Sequence, residues 1–518
     1  MLPARRSLLQ AVAAAALPGT GLLAGCAAPG PAPRPPDDGG DSARLYRLVN
    51  RLSWGATDAD YERARRLGAE GYIAEQLRAG AGPLPAAAQA QIDALSVQQR
   101  RPQALWADVD AARKAGEAKA TEDERKAAQQ AFQQALTRLS RESAQRHLLR
   151  ALYAPNQLQE RMQWFWFNHF NVFQFKANIR MLLGDYEERA IRPHALGRFR
   201  DLLGACTRHP AMLRYLDNEQ NAAGRINENH ARELLELHTL GVDGGYTQKD
   251  VQELARVLTG HGTNFSDRTP NLSSELKAQY LRDGLYEFNP QRHDRADKSL
   301  LGLTIRGRGA GELDEVLDLL ATHPSTARFV SRKLARHFLA DEPPAALVDA
   351  MATSWLSSDG RIADVLGTLL SAPAFTDVRF THFKDPTQFV VSAVRACYGE
   401  RVVLNTLPMQ VWLGRLGQAL YNRVTPDGYP SHAAAWTGSG QLAARLDVAR
   451  AIGSSASGLF KTEDPPREQP AFPQLARPLY WQVLRPLLAA NTRDALDSAA
   501  SPQDWNTLFL SSPDFMST

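Results

Sequence analysis

Residues Asn227–His261 read NENHARELLELHTLGVDGGYTQKDVQELARVLTGH. At about 100° per residue, Glu228, Asn229, Arg232, Glu233 and Glu236 fall on one arc of a helix. His230, Ala231, Leu234, Leu235, Leu237 and His238 fill the opposite arc. Gly241 suits the residue just past a helix end, and Asp243-Gly244-Gly245 makes a turn. Thr247, with Asp250 three residues later, caps a second helix striped by Val251, Leu254, Ala255 and Leu258. The short link joins the two as a helical hairpin.

The same period runs outward from this hairpin. Thr57 and Asp60 repeat the capping pattern near the start, and residues 103–150, rich in Ala, Glu, Lys, Gln and Arg, form a long charged helical segment. QLQERMQWFWFNHFNV, 157–172, is apolar all round and therefore a buried helix. Only Glu287–Gly309 carries a strand signal. The fold class expected is all-α, a large multi-helical domain of helical hairpins with at most a small β-hairpin. The chain has 518 residues, 44% hydrophobic and 22% charged, which excludes a disordered polymer.

Residues 1–26 form a signal peptide. Arg5-Arg6-Ser7-Leu8-Leu9 resembles a twin-arginine export motif, and Leu23-Ala24-Gly25-Cys26 resembles a lipobox whose cysteine is acylated. Residues 27–42 are a Pro/Gly-rich tether and 43–518 the helical domain. The expected location is the periplasm or outer membrane, with a lipid anchor at Cys26. Without the signal, 58 basic side chains face 56 acidic ones. That balance, with no basic stripe, argues against nucleic acid as a partner. Cys206 and Cys397 are expected to be free buried thiols.

Glu228, Arg232 and Glu236, four apart, suit a solvated ion-pair ladder. Glu233 gains no partner from it. His230 and Glu233, one turn apart, have the spacing of two metal ligands but lack the second histidine of His-Glu-x-x-His, so the ladder is preferred. His169, inside the aromatic helix, has two open readings: a satisfied core residue, or an acid–base group in a water-poor setting within reach of Asn227 and Glu228. His293-Asp294 is a second pair, either a surface cap or a metal or acid–base element. The candidate catalytic set is His169, Glu228, Glu233, His293 and Asp294. His209 and His323, each before a proline, look like helix starts, and His261 is expected at the rim. No G-x-S-x-G elbow, Walker loop, Rossmann fingerprint or Cys-x-x-Cys pair occurs, and nothing in the sequence specifies a cofactor.

Seven motifs in order resemble one family: RLSWGA, WFWFNHFNV, HALGRFRDLLGACTRHPAMLRYLDNEQN, the hairpin above, FNPQRHDRADKSLLG, HPSTARFVSRKLARHF and LGQALYNRVTPDGYP. Together they are similar to the bacterial DUF1800 proteins over essentially the whole mature chain. The resemblance implies an exported, largely helical protein, often encoded beside a sulfatase-like DUF1501 protein. It implies no catalytic residue, cofactor or substrate. His230 and His261 stand where that pattern usually has aromatic residues, which sets both apart from any shared mechanism. Two functions stay open: a hydrolase or lyase acting on extracellular polysaccharide through carboxylate and histidine groups, or a non-catalytic helical scaffold partnering a DUF1501-type protein.

Overall fold

The computed structural model describes residues 40–518, apart from 81, 267, 380, 400, 464, 465 and 469–471. Cys26 and the signal and tether residues up to 39 lie outside them. Helix makes up 62% and strand 5%, the latter in small sheets. Among the described residues no helix is long and apolar enough to cross a membrane.

The charged segment 103–150 lies on two helices, Pro102–Glu117 and α1 (Glu122–Tyr153). Thr121 and Glu124 cap α1 reciprocally. Its buried residues begin at Phe132, so the solvated first turns lead into a half that enters the core. There α1 meets α2 (Gln157–His169), in which every residue but Asn168 is buried. Trp166 donates its indole N–H to the Ala195 carbonyl at 3.0 Å, satisfying the one polar atom of that side chain. Beyond α2 come α3 (Phe199–Arg208) and α4 (Pro210–Tyr215).

The opening hairpin is α5 (Asn229–Glu233) and α6 (Gln248–Val257), with the Thr247–Asp250 capping box in place. Gly241 adopts φ +83°, and a Cβ there would stand 2.9 Å from the Phe329 ring. Both facts require glycine. One difference from the expected pattern is geometric. After Glu233 the helix widens into a π-helical segment, Leu234–Thr239, in which the Leu240 N–H reaches the Leu235 carbonyl. A 100° wheel is therefore out of phase beyond Glu233.

Strand is more distributed than a single hairpin. β1 (His261–Thr263), β2 (Leu281–Asp283) and β3 (Tyr286–Phe288) form an antiparallel sheet in the order β1-β3-β2. β4 (Lys298–Leu300) and β5 (Leu303–Ile305) make the hairpin expected within 287–309. Lys461–Glu463 pairs with Pro466–Glu468 as a third sheet. After β5 come α7 (Gly311–Ala321) and α8 (Pro324–Phe338). Cys206 and Cys397 are free and buried, as expected.

Candidate functional site

The C-terminal end of α2 delivers two polar side chains into aromatic surroundings. His169 is 2% exposed and lies among the rings of Phe165, Trp166 and Phe170. Its Nε2 meets the His238 carbonyl at 3.0 Å, so that nitrogen carries the hydrogen. Nδ1 is then the acceptor, and Lys333 on α8 donates to it at 2.9 Å. Burial, then the charge of Lys333, holds His169 well below its ordinary value, and the ring is neutral.

Lys333 is half-buried, and burial lowers its ammonium to about 8, opposed by the field of Asp427. It is thus the titrating member of the pair. Glu233 shares the Asp427 neighbour. Burial, then Glu236 and Asp427, raise its carboxyl, and Arg232 offsets this in part. Among the described residues its carboxylate has no hydrogen bond or ion pair.

Asp427 rides on a loop fixed to α2 by the polar residues of the aromatic motif. Asn168 bonds Tyr429 twice, its Nδ2 to the carbonyl at 2.9 Å and its Oδ1 from the N–H at 2.7 Å. Asn171 donates to the carbonyls of Arg423 and Thr425 at 3.0 and 2.9 Å. The Tyr215 hydroxyl holds the Val424 carbonyl at 2.7 Å. Gly428, at φ +76°, lies so close that a Cβ would stand 2.1 Å from the Asn168 carbonyl oxygen. An ammonium near neutrality bonded to a neutral imidazole of fixed tautomer can pass a proton at near-neutral pH, and Glu233 shares with this pair the field of Asp427.

A family model described as protein of unknown function (DUF1800) matches residues 47–517. The chain belongs to the DUF1800 family. No curated protein and no solved structure matches it.

Within the DUF1800 chain the five residues singled out by sequence occupy separate surroundings. His169 meets Lys333 and the π-segment, not Asn227 and Glu228. Asn227 instead bonds Asn221 and Asp217. Glu228 accepts from Arg232 at 3.0 Å and from Gln248 on α6 at 2.7 Å, a staple across the hairpin. Glu236 leaves the ladder because the π-helix turns it toward Tyr246, whose phenol it helps raise after burial. His293 is buried rather than a surface cap. Its Nδ1 faces the Thr259 carbonyl at 2.8 Å and its Nε2 the Glu312 carboxylate at 2.9 Å. Glu312 also takes the Lys298 ammonium at 2.5 Å, completing a satisfied interior network. Asp294 diverges from His293 and chelates Arg256 at 2.8 and 3.2 Å.

His261 is not at the rim. It is 1% exposed on β1, because pairing with β3 folds it under Tyr286, whose hydroxyl lies 2.8 Å from its Nδ1. His209 and His323 cap helices as expected, each accepting a backbone N–H at 3.1 Å. Among the described residues no three His, Cys, Asp or Glu side chains converge as a metal site. Lys333 and Asp427 were missed by the sequence reading. The available signal was Lys333 on the shoulder of the apolar stripe Val330, Leu334 and Phe338.

Proposed function

We propose that this protein is an exported acid–base enzyme, a hydrolase or lyase acting on extracellular polysaccharide, with Lys333, His169 and Glu233 as its proton-handling groups. The observation that carries the reading is the Lys333 ammonium, lowered to about 8, bonded to a buried neutral imidazole. A structural ion pair would set an acid against that lysine; here its hydrogen-bond partner is a base. Glu233, raised by burial, supplies the carboxylate. Lipid anchoring at Cys26 would hold the enzyme in the periplasm or at the outer membrane, beside its polymer.

The test is the mature protein on a panel of polysaccharides, with reducing-end release and formation of an unsaturated sugar end read separately. These products distinguish hydrolysis from elimination. Lys333→Met should lower kcat by roughly 10²–10⁴-fold. Wild-type turnover from Lys333→Met refutes the assignment.

A second reading is favoured by the contacts of Glu228, His293 and Asp294, which serve structure. In it the chain is a helical scaffold that partners a DUF1501-type protein. Pull-down of that protein, undisturbed by Lys333→Met and without turnover on any polymer, would support it.

A further inference from the structure

A cleft of about 480 Å³ opens between α3, the segment 182–194 and the β2–β3 turn. Neither His169, Lys333 nor Glu233 lines it. Arg200 and Arg208 reach over Gly204 from the two ends of α3. Both spend Nη2 on the same Asp314 oxygen, at 2.8 and 2.7 Å, and Arg200 turns Nε to Asp318 at 2.5 Å. Their Nη1 groups converge instead on the space above Gly204. A Cβ on that glycine would stand 2.8 Å from Arg200 Nη1 and 3.3 Å from Arg208 Nη1. Arg200 Nη1 has no hydrogen-bond acceptor among the described residues. The Arg208 guanidinium also donates a hydrogen bond to the Tyr286 hydroxyl at the cleft wall.

Acceptors are supplied across the cleft. The helix cap makes His209 Nδ1 an acceptor, so its Nε2–H donates to Asp185 at 3.1 Å and fixes that carboxylate. The other oxygen of Asp185 faces Arg189 at 3.9 Å, too far for a hydrogen bond. Asp201 and Asp283 also line the opening, so three aspartates face three arginines. With Asp314 and Asp318 behind the arginines, the cleft has no excess positive charge to select an anion. Leu182, Ala190 and Leu285, almost wholly buried, back the cleft. Fixed planar donors and fixed carboxylate acceptors, without excess positive charge, match a neutral sugar ring, whose hydroxyls both donate and accept.

We propose that this cleft is a binding subsite for a neutral oligosaccharide, held by Arg200 Nη1 and the Arg208–Tyr286 pair on one side and by Asp185 on the other. It anchors the polymer apart from the acid–base centre and stands whether or not that centre is catalytic.

Gly204→Ala is the decisive variant. Alanine favours a helix over glycine, and the new methyl crowds only the movable guanidinium ends of Arg200 and Arg208, so the fold should be kept and its melting temperature not lowered. The mature protein would be titrated by calorimetry with neutral gluco-, xylo- and galacto-oligosaccharides, with polygalacturonate and with inorganic sulfate. The proposal expects binding of a neutral oligosaccharide, weakened at least ten-fold by Gly204→Ala. Arg208→Lys, which keeps a cation for Asp314 but loses the fork, should weaken it similarly. Lys333→Met should leave this binding unchanged, which separates failure here from failure of the catalytic reading. Three results would overturn it: no neutral sugar bound, tighter binding of sulfate or polygalacturonate, or unaltered affinity in Gly204→Ala.

Discussion

Glu233 sits among acids in a half-buried place, and burial and Glu236 raise its carboxyl. A carboxylate raised in the folded state weakens stability above its unfolded value, so Glu233→Gln should leave the melting temperature equal or higher while turnover collapses. Glu236→Gln is the companion: under about 1 kcal/mol of stability and activity retained. Melting and turnover measured on both variants decide whether the two glutamates differ. Lys333 adds a pH signature. If its charged form donates the proton, kcat falls as pH rises through about 8, and a flat profile up to pH 10 removes it from that role. His230 is 0% exposed, neither ring nitrogen has a hydrogen-bond partner among the described residues, and burial lowers it to about 4. His230→Phe should therefore stabilise by about 1 kcal/mol at pH 7, and a fall in melting temperature would show that packing outweighs the unmade bonds. Sequence could mark His169 and Glu233 as polar groups in apolar company. It could not pair His169 with Lys333, 164 positions away, because that contact depends on how α8 crosses α2.

At the level of elements, caps and turns were readable because they are local. Thr57–Asp60, Thr247–Asp250 and Gly241 each act within a few residues, and each stands where the pattern put it. The π-helix was not readable, since an extra residue in one turn leaves the apolar spacing nearly intact while rotating all that follows. That rotation undid the Glu236 rung and left Leu237 only half-buried, while His238 is buried, 1% exposed, as the pattern expects. β1 was hidden for another reason: its partner β3 lies far along the chain. The loop carrying Asp427 gives an element-scale prediction. Asn168→Ala removes both bonds to Tyr429, leaving the Tyr429 N–H and carbonyl to find new partners. It should cost about 1–3 kcal/mol and reduce turnover by freeing the loop, read by hydrogen exchange at 423–429. Full protection of that loop in Asn168→Ala would show it is held by other contacts.

Across the whole molecule, the histidines set the response to acid. His169, His238, His261 and His337 are well below 6.5 in the folded state, and His230 and His382 are lowered to about 4, burial being the largest cause for each. The unfolded chain therefore takes up protons first. Stability is full above about 6.5 and falls as pH drops toward 4, each such group adding up to ~1.4 kcal/mol per pH unit. Melting temperature against pH should drop steeply across that window, and His230→Phe should flatten it. A midpoint insensitive to pH between 6.5 and 4 would mean these rings are already charged when folded. Location is tested at the other end of the chain: Cys26→Ser should release the protein from the membrane fraction or leave an unprocessed precursor.

The buried free thiols turn the protein into its own unfolding clock. Burial raises Cys206 and Cys397 far above an ordinary thiol, so neither presents a thiolate to an alkylating reagent while the fold is closed. A maleimide added to native protein would then leave Cys206 and Cys397 unmarked. Labels appearing later at Cys206 or Cys397 would time the opening of α3 and of the helix Pro386–Tyr398 separately, without any engineered probe.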